Sequence, residues 1–322
     1  MCRVAAEGGR RCPSCMDKKK RSAVNKATYA ASLFNSAPQD EGFSLDNPPS
    51  ETFGSTLTST PHIQDVANFV SKLSAAGYYV VGINGSEMLD NPSLNPHGLN
   101  PDLLKQAHDI ADAFRRSFHT EITLPDGKAI TCSADGFTFD GVARELEVTG
   151  VLLEGGESVG TWTRSLNFEG FPEKSEGYAQ YELLEIGKEY QNLRLGTKLL
   201  VHFDSVMLAA GVTEVRLHAN MDIGGYAWAK AGYDWDQSET SEFVPNKEHK
   251  LQGRLRKYAN EHGDPGEQIK EMINRLNKPY DSNYPTPLEV ALLGRDSKDR
   301  SVLWAGKKAL LNSKWDAVRM LV

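Results

Sequence analysis

The chain reads as an α/β (α+β) protein built on a mixed sheet flanked by helices, and three observations carry that reading. Short β-type runs follow one another between Glu121 and Phe168 with turn residues between them, the pattern of an antiparallel meander. A strand, a loop, an apolar-striped helix and a second strand then occupy 178–219, and meander strands followed by such a unit make a layered arrangement with a mixed sheet. The apolar residues outside this region recur at helical spacing. With 39% apolar and 25% charged residues in 322, the chain can build an ordinary core, which excludes disorder throughout.

The elements follow in order. Thr60-Pro61 supplies an N-cap and a first-turn proline, and Ile63, Val66, Ala67, Val70 and Leu73 keep helical spacing until Gly77. Residues 78–83 read as a strand. Asn100-Pro101 caps a second helix whose stripe is Leu103, Leu104, Ala107, Ile110, Ala111, Phe114 and Phe118. Strands at 121–124 and 128–132 flank Pro125-Asp126-Gly127, and the turn Glu154-Gly155-Gly156-Glu157 joins 146–153 to 159–168 as a hairpin. After a strand at 178–186 comes a helix with Leu199, Leu200, Phe203, Val206 and Met207 on one face, closed by Gly211. A strand at 213–219, a helix at 224–231 and a strand or turn from Tyr233 complete the unit. His202 and His218 have no partner at a useful spacing and read as structural histidines.

Composition divides the chain into 1–60, 61–243 and 244–322. The first part is a basic, cysteine-containing arm that ends in a tract rich in Ser, Thr, Pro, Asn and Asp, the composition of a tail or linker. Eight bases and two acids in residues 1–26 give it a charge of +6 within a chain whose total is −7, so the arm can contact nucleic acid or an acidic protein. The last part is a helical extension, with Thr286 and Glu289 spaced as a capping box. Its Trp304, Leu310, Leu311, Trp315, Val318 and Leu321 must pack against something. No run of about 18 apolar residues is present, which argues against a spanning helix, and the N-terminus lacks the apolar stretch of a secretion signal. The expected location is cytoplasmic.

Gln191-Asn192-Leu193-Arg194-Leu195-Gly196-Thr197 lies between a strand and a helix N-terminus. Such a loop presents consecutive backbone N–H groups and a positive dipole end to an anion. Together with the order of elements, this run and Gly224-Gly225-Tyr226-Ala227-Trp228-Ala229-Lys230-Ala231-Gly232-Tyr233 after Asn220 resemble the GNAT family, the acyl-CoA-dependent N-acyltransferases. The resemblance covers roughly 145–235. It implies a GNAT-like mixed twisted sheet, a coenzyme A diphosphate held by the loop, and transfer of an acyl group from acetyl-CoA or another acyl-CoA to an unidentified amine. The implied cofactor-binding residues are Ile186, Gln191, Arg194, Leu195, Gly196 and Thr197. Arg194 stands where the family has its first glycine, and its charge can reach a phosphate. Trp228 stands where the family often has the tyrosine that protonates the departing thiolate, and an indole only donates.

Acyl transfer needs a neutral amine, hence a base. Glu182 and Glu185 on the strand before the loop are the candidates. Their odd separation puts them on opposite faces of a regular strand, and a bulge, as commonly found at this strand in the family, would change that. Tyr226 is a candidate acid in place of the missing tyrosine, although two residues from Trp228 is a poor helical offset.

Cys2, Cys12 and Cys15 form C-x9-C-P-S-C. A C-x2-C pair can grip zinc, but a tetrahedral site needs four ligands and a fourth is missing nearby. With four cysteines in the whole chain a disulfide framework is excluded and a reducing compartment favoured. The stretch Met1 to Pro13 also resembles N-termini on proteins of actinobacteria and their phages. That resemblance raises a second reading from a different class: a catalytically inactive GNAT-fold scaffold, possible as a phage structural or virion-associated protein.

Overall fold

The computed structural model describes residues 59–78, 80–84, 87–90, 100–168, 177–190, 193–219, 224–236, 244–262, 266–278, 283–295, 303–311 and 313–321. The basic arm with Cys2, Cys12 and Cys15, together with Gln191, Asn192 and Asn220, lies outside the described residues.

Helix α1 (Ile63–Ala75) leads to strands β1 (Val80–Asn84) and β2 (Glu87–Asp90), and helix α2 (Pro101–Phe118) to β3 (Thr120–Thr123) and β4 (Ala129–Asp140). The meander continues through β5 (Glu145–Glu154), β6 (Glu157–Asn167) and β7 (Tyr178–Ile186). A short turn of 3₁₀ helix, Lys188–Tyr190, precedes α3 (Leu195–Ala209), and β8 (Glu214–Ala219), α4 (Gly224–Lys230) and β9 (Asp234–Trp235) follow. Among the described residues, four helices, α5 (Val244–Glu261), α6 (Gly266–Leu276), α7 (Pro287–Leu292) and α8 (Ala305–Leu310), separate β9 from β10 (Trp315–Met320).

The strands form one open sheet in the order β2-β1-β4-β5-β6-β7-β8-β10-β9, with β3 also paired to β4. Every pairing among the described strands is antiparallel except that of β7 with β8. The fold is therefore mixed α and β with a largely antiparallel sheet flanked by helices. The last segment is not wholly helical as its composition suggests: β10 returns to the sheet and pairs with β8 on one side and β9 on the other. Alternating Trp315, Ala317 and Arg319 place Trp315 in the core, a period of two that six residues beside a helix did not make distinctive.

Local chemistry accounts for the element ends. His62 is the N-cap of α1, with Nδ1 accepting from the backbone of Gln64 at 3.2 Å. Thr60, expected in that role, instead donates to Ser117 of α2 at 2.8 Å. Asn100 caps α2 by accepting from Asp102 at 2.8 Å, and the Thr286–Glu289 capping box forms as spaced. Gly155 and Gly156 turn the β5–β6 hairpin with φ of 59° and 93°, the left-handed pair that matches strand twist.

Alternation, interrupted at a register shift in each of the β4–β5, β5–β6 and β6–β7 pairings, gives the sheet two unlike faces. Ile130, Phe137 and Phe139 of β4, Leu146, Val148 and Leu152 of β5, Trp162 and Leu166 of β6, and Ala179, Tyr181 and Leu184 of β7 are buried toward the helices. There Trp162 meets Phe118 of α2 and Phe203 of α3 with ring centroids 4.9 and 5.0 Å apart. Gly150 of β5 makes room for that indole, since a Cβ there would stand 2.3 Å from its ring. The opposite face carries Glu147, Thr149, Thr163, Ser165, Gln180, Glu182, Arg216, His218 and Asp316.

Candidate functional site at the β7–β8 opening

Strands β7 and β8 are paired at Ala179–Val215 and Gln180–Arg216 only. Beyond those residues β7 runs on to Ile186 and β8 to Ala219, so the two strands part toward their C-terminal ends. The first turn of α3 stands at this same end, because the chain passes directly from β7 through Lys188–Tyr190 into Leu195. A crevice at the carboxyl ends of neighbouring parallel strands, beside a helix N-terminus, is a general place for an anionic ligand.

Arg194 is the N-cap of α3, exposed, with φ 59° and ψ 13° and no capping bond from its side chain. The left-handed conformation is the one a glycine adopts without cost, whereas an L side chain gives up about 1–2 kcal/mol. Its carbonyl still accepts the first helical bond, from Lys198 N–H at 3.1 Å. The N–H groups of Leu195, Gly196 and Thr197 form the first turn, where the helix itself provides no acceptor. Leu195 is buried and Gly196 and Thr197 half-buried, while Ile186 closes β7 in the core. The described part of the proposed cradle is thus contiguous at one end of the opening.

Glu182 is a bulge residue. Thr163 pairs with Leu183 and its neighbour Arg164 with Tyr181, so Glu182 is the extra residue on β7. The bulge resets the alternation, and Glu182 and Glu185 come to the same face instead of the opposite faces that a regular strand gives. Ser165 donates to Glu182 Oε1 at 2.9 Å. Glu185, exposed at its end of the strand, lies 3.5 Å from Thr161 Oγ1, and partial burial moves its carboxyl above the usual range.

On the other side of the opening stands His218. Two residues beyond the Gln180–Arg216 pair along each strand come Glu182 and His218, on one face. His218 Nδ1 lies 2.6 Å from Asp316 Oδ1 of β10, an orienting arrangement for an imidazole. Nothing in the sequence spacing joined these two residues, because their strands become neighbours only through the return of β10. His202, by contrast, is structural as expected: it is buried, with Nε2 3.2 Å from the Phe118 carbonyl, and burial lowers its pKa to about 4.

Tyr226 lies on α4, which follows β8. Its ring meets Trp304 edge to face at 6.0 Å and carries the Lys307 ammonium 5.1 Å from its centroid, in the packing of α4 against the helices before β10. Trp228 is buried and packs edge to face on Tyr233 at 5.3 Å.

Among the described residues, no three His, Cys, Asp or Glu side chains gather as metal ligands. No described helix is long and apolar enough to cross a membrane. Comparison with protein-family models, with curated proteins and with solved structures finds no match for the chain.

Proposed function

We propose that the chain is a GNAT-like N-acyltransferase that takes an acyl group from acyl-CoA at the β7–β8 opening and passes it to an amine. One observation carries the reading: parallel strands paired over two residues part beside the first turn of α3, giving an elongated anionic ligand a slot and a cradle together. The diphosphate would sit on the N–H groups of Leu195, Gly196 and Thr197, with Arg194 adding a charge-assisted bond.

Glu182 is the base on this reading, because its bulge sets it on the lip of the opening and Ser165 fixes its carboxylate. It takes a proton from the substrate ammonium. The neutral nitrogen then attacks the thioester carbonyl carbon, the C–S bond breaks, and the departing thiolate takes, by way of water, the second proton that the attacking nitrogen sheds on becoming the amide. Glu185, three residues on, serves as the alternative base. Calorimetry with acetyl-CoA and CoA, with Arg194→Ala as control, tests the reading; no heat of binding at about millimolar ligand, a free energy near −4 kcal/mol, rejects it.

A second reading, a non-catalytic scaffold of the same fold, draws support from Trp228. Its buried indole packs on Tyr233 at the position where the resemblance places an acid. Binding of CoA without turnover on any of a panel of amines would favour the scaffold.

A further inference from the structure

A separate polar cluster lies on the helix-covered face of the sheet, fully buried at Arg164 and partly exposed at Asp204 and Arg319. Arg164 of β6 is 1% exposed. Its Nη1 donates to the carbonyls of Thr163 at 2.7 Å and Leu183 at 2.5 Å, whereas Nε and Nη2 are buried without a hydrogen-bond partner. The ring centroids of Tyr181 and Phe203 lie 4.2 and 4.3 Å from its Cζ. Those rings attract the charge, yet they do not replace an oxygen or anion acceptor for the remaining N–H groups.

Asp204 of α3 accepts from the Tyr181 hydroxyl at 2.8 Å through one oxygen and pairs with Arg319 of β10 through the other. Arg319 also donates to the Ala231 carbonyl at 3.1 Å, and its Cζ lies 4.5 Å from the Tyr233 ring centroid. Arg319 Nε and the Tyr233 hydroxyl are again buried without a partner. Tyr233 lies within electrostatic reach of both guanidinium groups.

Charge balance decides what the cluster lacks. Two guanidinium groups stand against the single carboxylate of Asp204. Burial pushes the Tyr181 and Tyr233 hydroxyls upward and the Cys132 thiol to about 12, so none of them supplies a second negative charge near neutral pH. Burial also raises Asp204, and its protonation would only enlarge the positive excess. A buried water could accept from the orphan donors but would leave the charge in place, while an anion answers both needs.

We propose that this cluster binds a small monovalent anion, chloride in ordinary buffers, held by Arg164 Nε and Nη2 with the Tyr233 hydroxyl and Arg319 Nε as the cluster's other donors. The charge follows from the single positive excess, and the burial of Arg164 and Tyr233 keeps bulk solvent from serving as the acceptor. The anion would join β6, β10 and the chain leading into β9 at the residues where β7 and β8 part.

The test is thermal unfolding of the full chain at constant ionic strength with gluconate exchanged for chloride or bromide. Chloride at about a hundredfold over its dissociation constant is expected to raise the melting temperature by about 4 °C. Arg164→Met is expected to abolish the dependence and Tyr233→Phe to weaken it. Equal melting in all three salts overturns the proposal, as does a chloride effect that persists unchanged in Arg164→Met, which would place the ion elsewhere. If that variant does not fold, anomalous scattering from bromide-grown crystals of the unaltered protein decides: a peak within hydrogen-bond reach of Arg164 Nε supports the site, and its lack overturns it.

Discussion

His218 Nδ1 lies 2.6 Å from Asp316 Oδ1, although 98 residues separate the two in sequence. The pair joins β8 to β10 on the lip of the β7–β8 opening and is partly exposed, with side-chain exposures of 41% and 19%. A solvated pair of this kind contributes about 0–1 kcal/mol to folding. Asp316→Asn is therefore expected to leave stability nearly unchanged. The acyltransfer reading gives His218 no proton to move, so turnover is expected to stay nearly unchanged as well. Denaturant unfolding and steady-state kinetics on the same preparation check both halves.

Glu182 and Glu185 share a face because of the bulge, but only Glu182 combines the Ser165 hydrogen bond with a place opposite His218. Glu182→Gln is expected to reduce kcat by about 10²-fold or more, the usual contribution of a positioned base. Glu185→Gln should cost much less. Equal turnover of the two variants would refute the assignment, and calorimetric binding of CoA by both would show that the cradle survived.

Arg194 holds a left-handed conformation at the start of α3. Arg194→Gly is expected to stabilise the fold by about 1 kcal/mol, because glycine adopts this φ without the Cβ penalty. The same change removes a charge from the cradle and should weaken CoA binding, whereas Arg194→Ala weakens binding without the gain in stability. Opposite movements of melting temperature and affinity in Arg194→Gly would separate strain from charge; tighter CoA binding would count against the cradle.

His202 sets a pH dependence of stability. Its folded pKa is about 4 against an unfolded value of 6.5, because burial disfavours the imidazolium. Above the unfolded pKa both states are neutral and the full stability is present. As pH falls from about 6.5 to about 4 only the unfolded chain gains the proton, so stability is lost, by about 3 kcal/mol in total. His202→Gln is expected to flatten that acid limb between pH 6 and pH 4, measured by urea unfolding; an unchanged slope would show that other groups cause it.

Gly150 is fixed by its neighbours. Gly150→Ala would drive a methyl to 2.3 Å from both the Trp162 ring and the Ser133 carbonyl, and overpacking of this kind costs about 1–3 kcal/mol. Differential scanning calorimetry checks it, with Val151→Ala on the other face of the strand as the milder comparison.

Much of the fold was legible because it depends on near neighbours in sequence. The helical stripe from Ile63 to Leu73, the Asn100 and Thr286 caps, the double-glycine hairpin and the strand at Tyr178–Ile186 all rest on periodicity or turn chemistry within a dozen residues. Residues 133–140, which carry a break in register at Ala134–Gly136, were not legible as part of β4. The same holds for Thr60, whose hydroxyl found Ser117 in place of the helix end. Of the candidate site, the carboxylates and the loop could be named from sequence. Their common face could not, since a bulge is a property of the pairing between β6 and β7.

By itself the sequence determined the strand and helix segments, the loop that opens α3 and the two glutamates before it, because each is written in local spacing and side-chain chemistry. Only the tertiary structure decided that β7 and β8 part after two paired residues and that β10 returns between β8 and β9 to bring Asp316 to His218. It also decided that Arg164, Asp204 and Arg319 share one cluster. The physical reason is the range of the forces: hydrogen bonding along a strand or helix selects local geometry, whereas strand pairing and the burial of charge are settled between residues far apart in the chain.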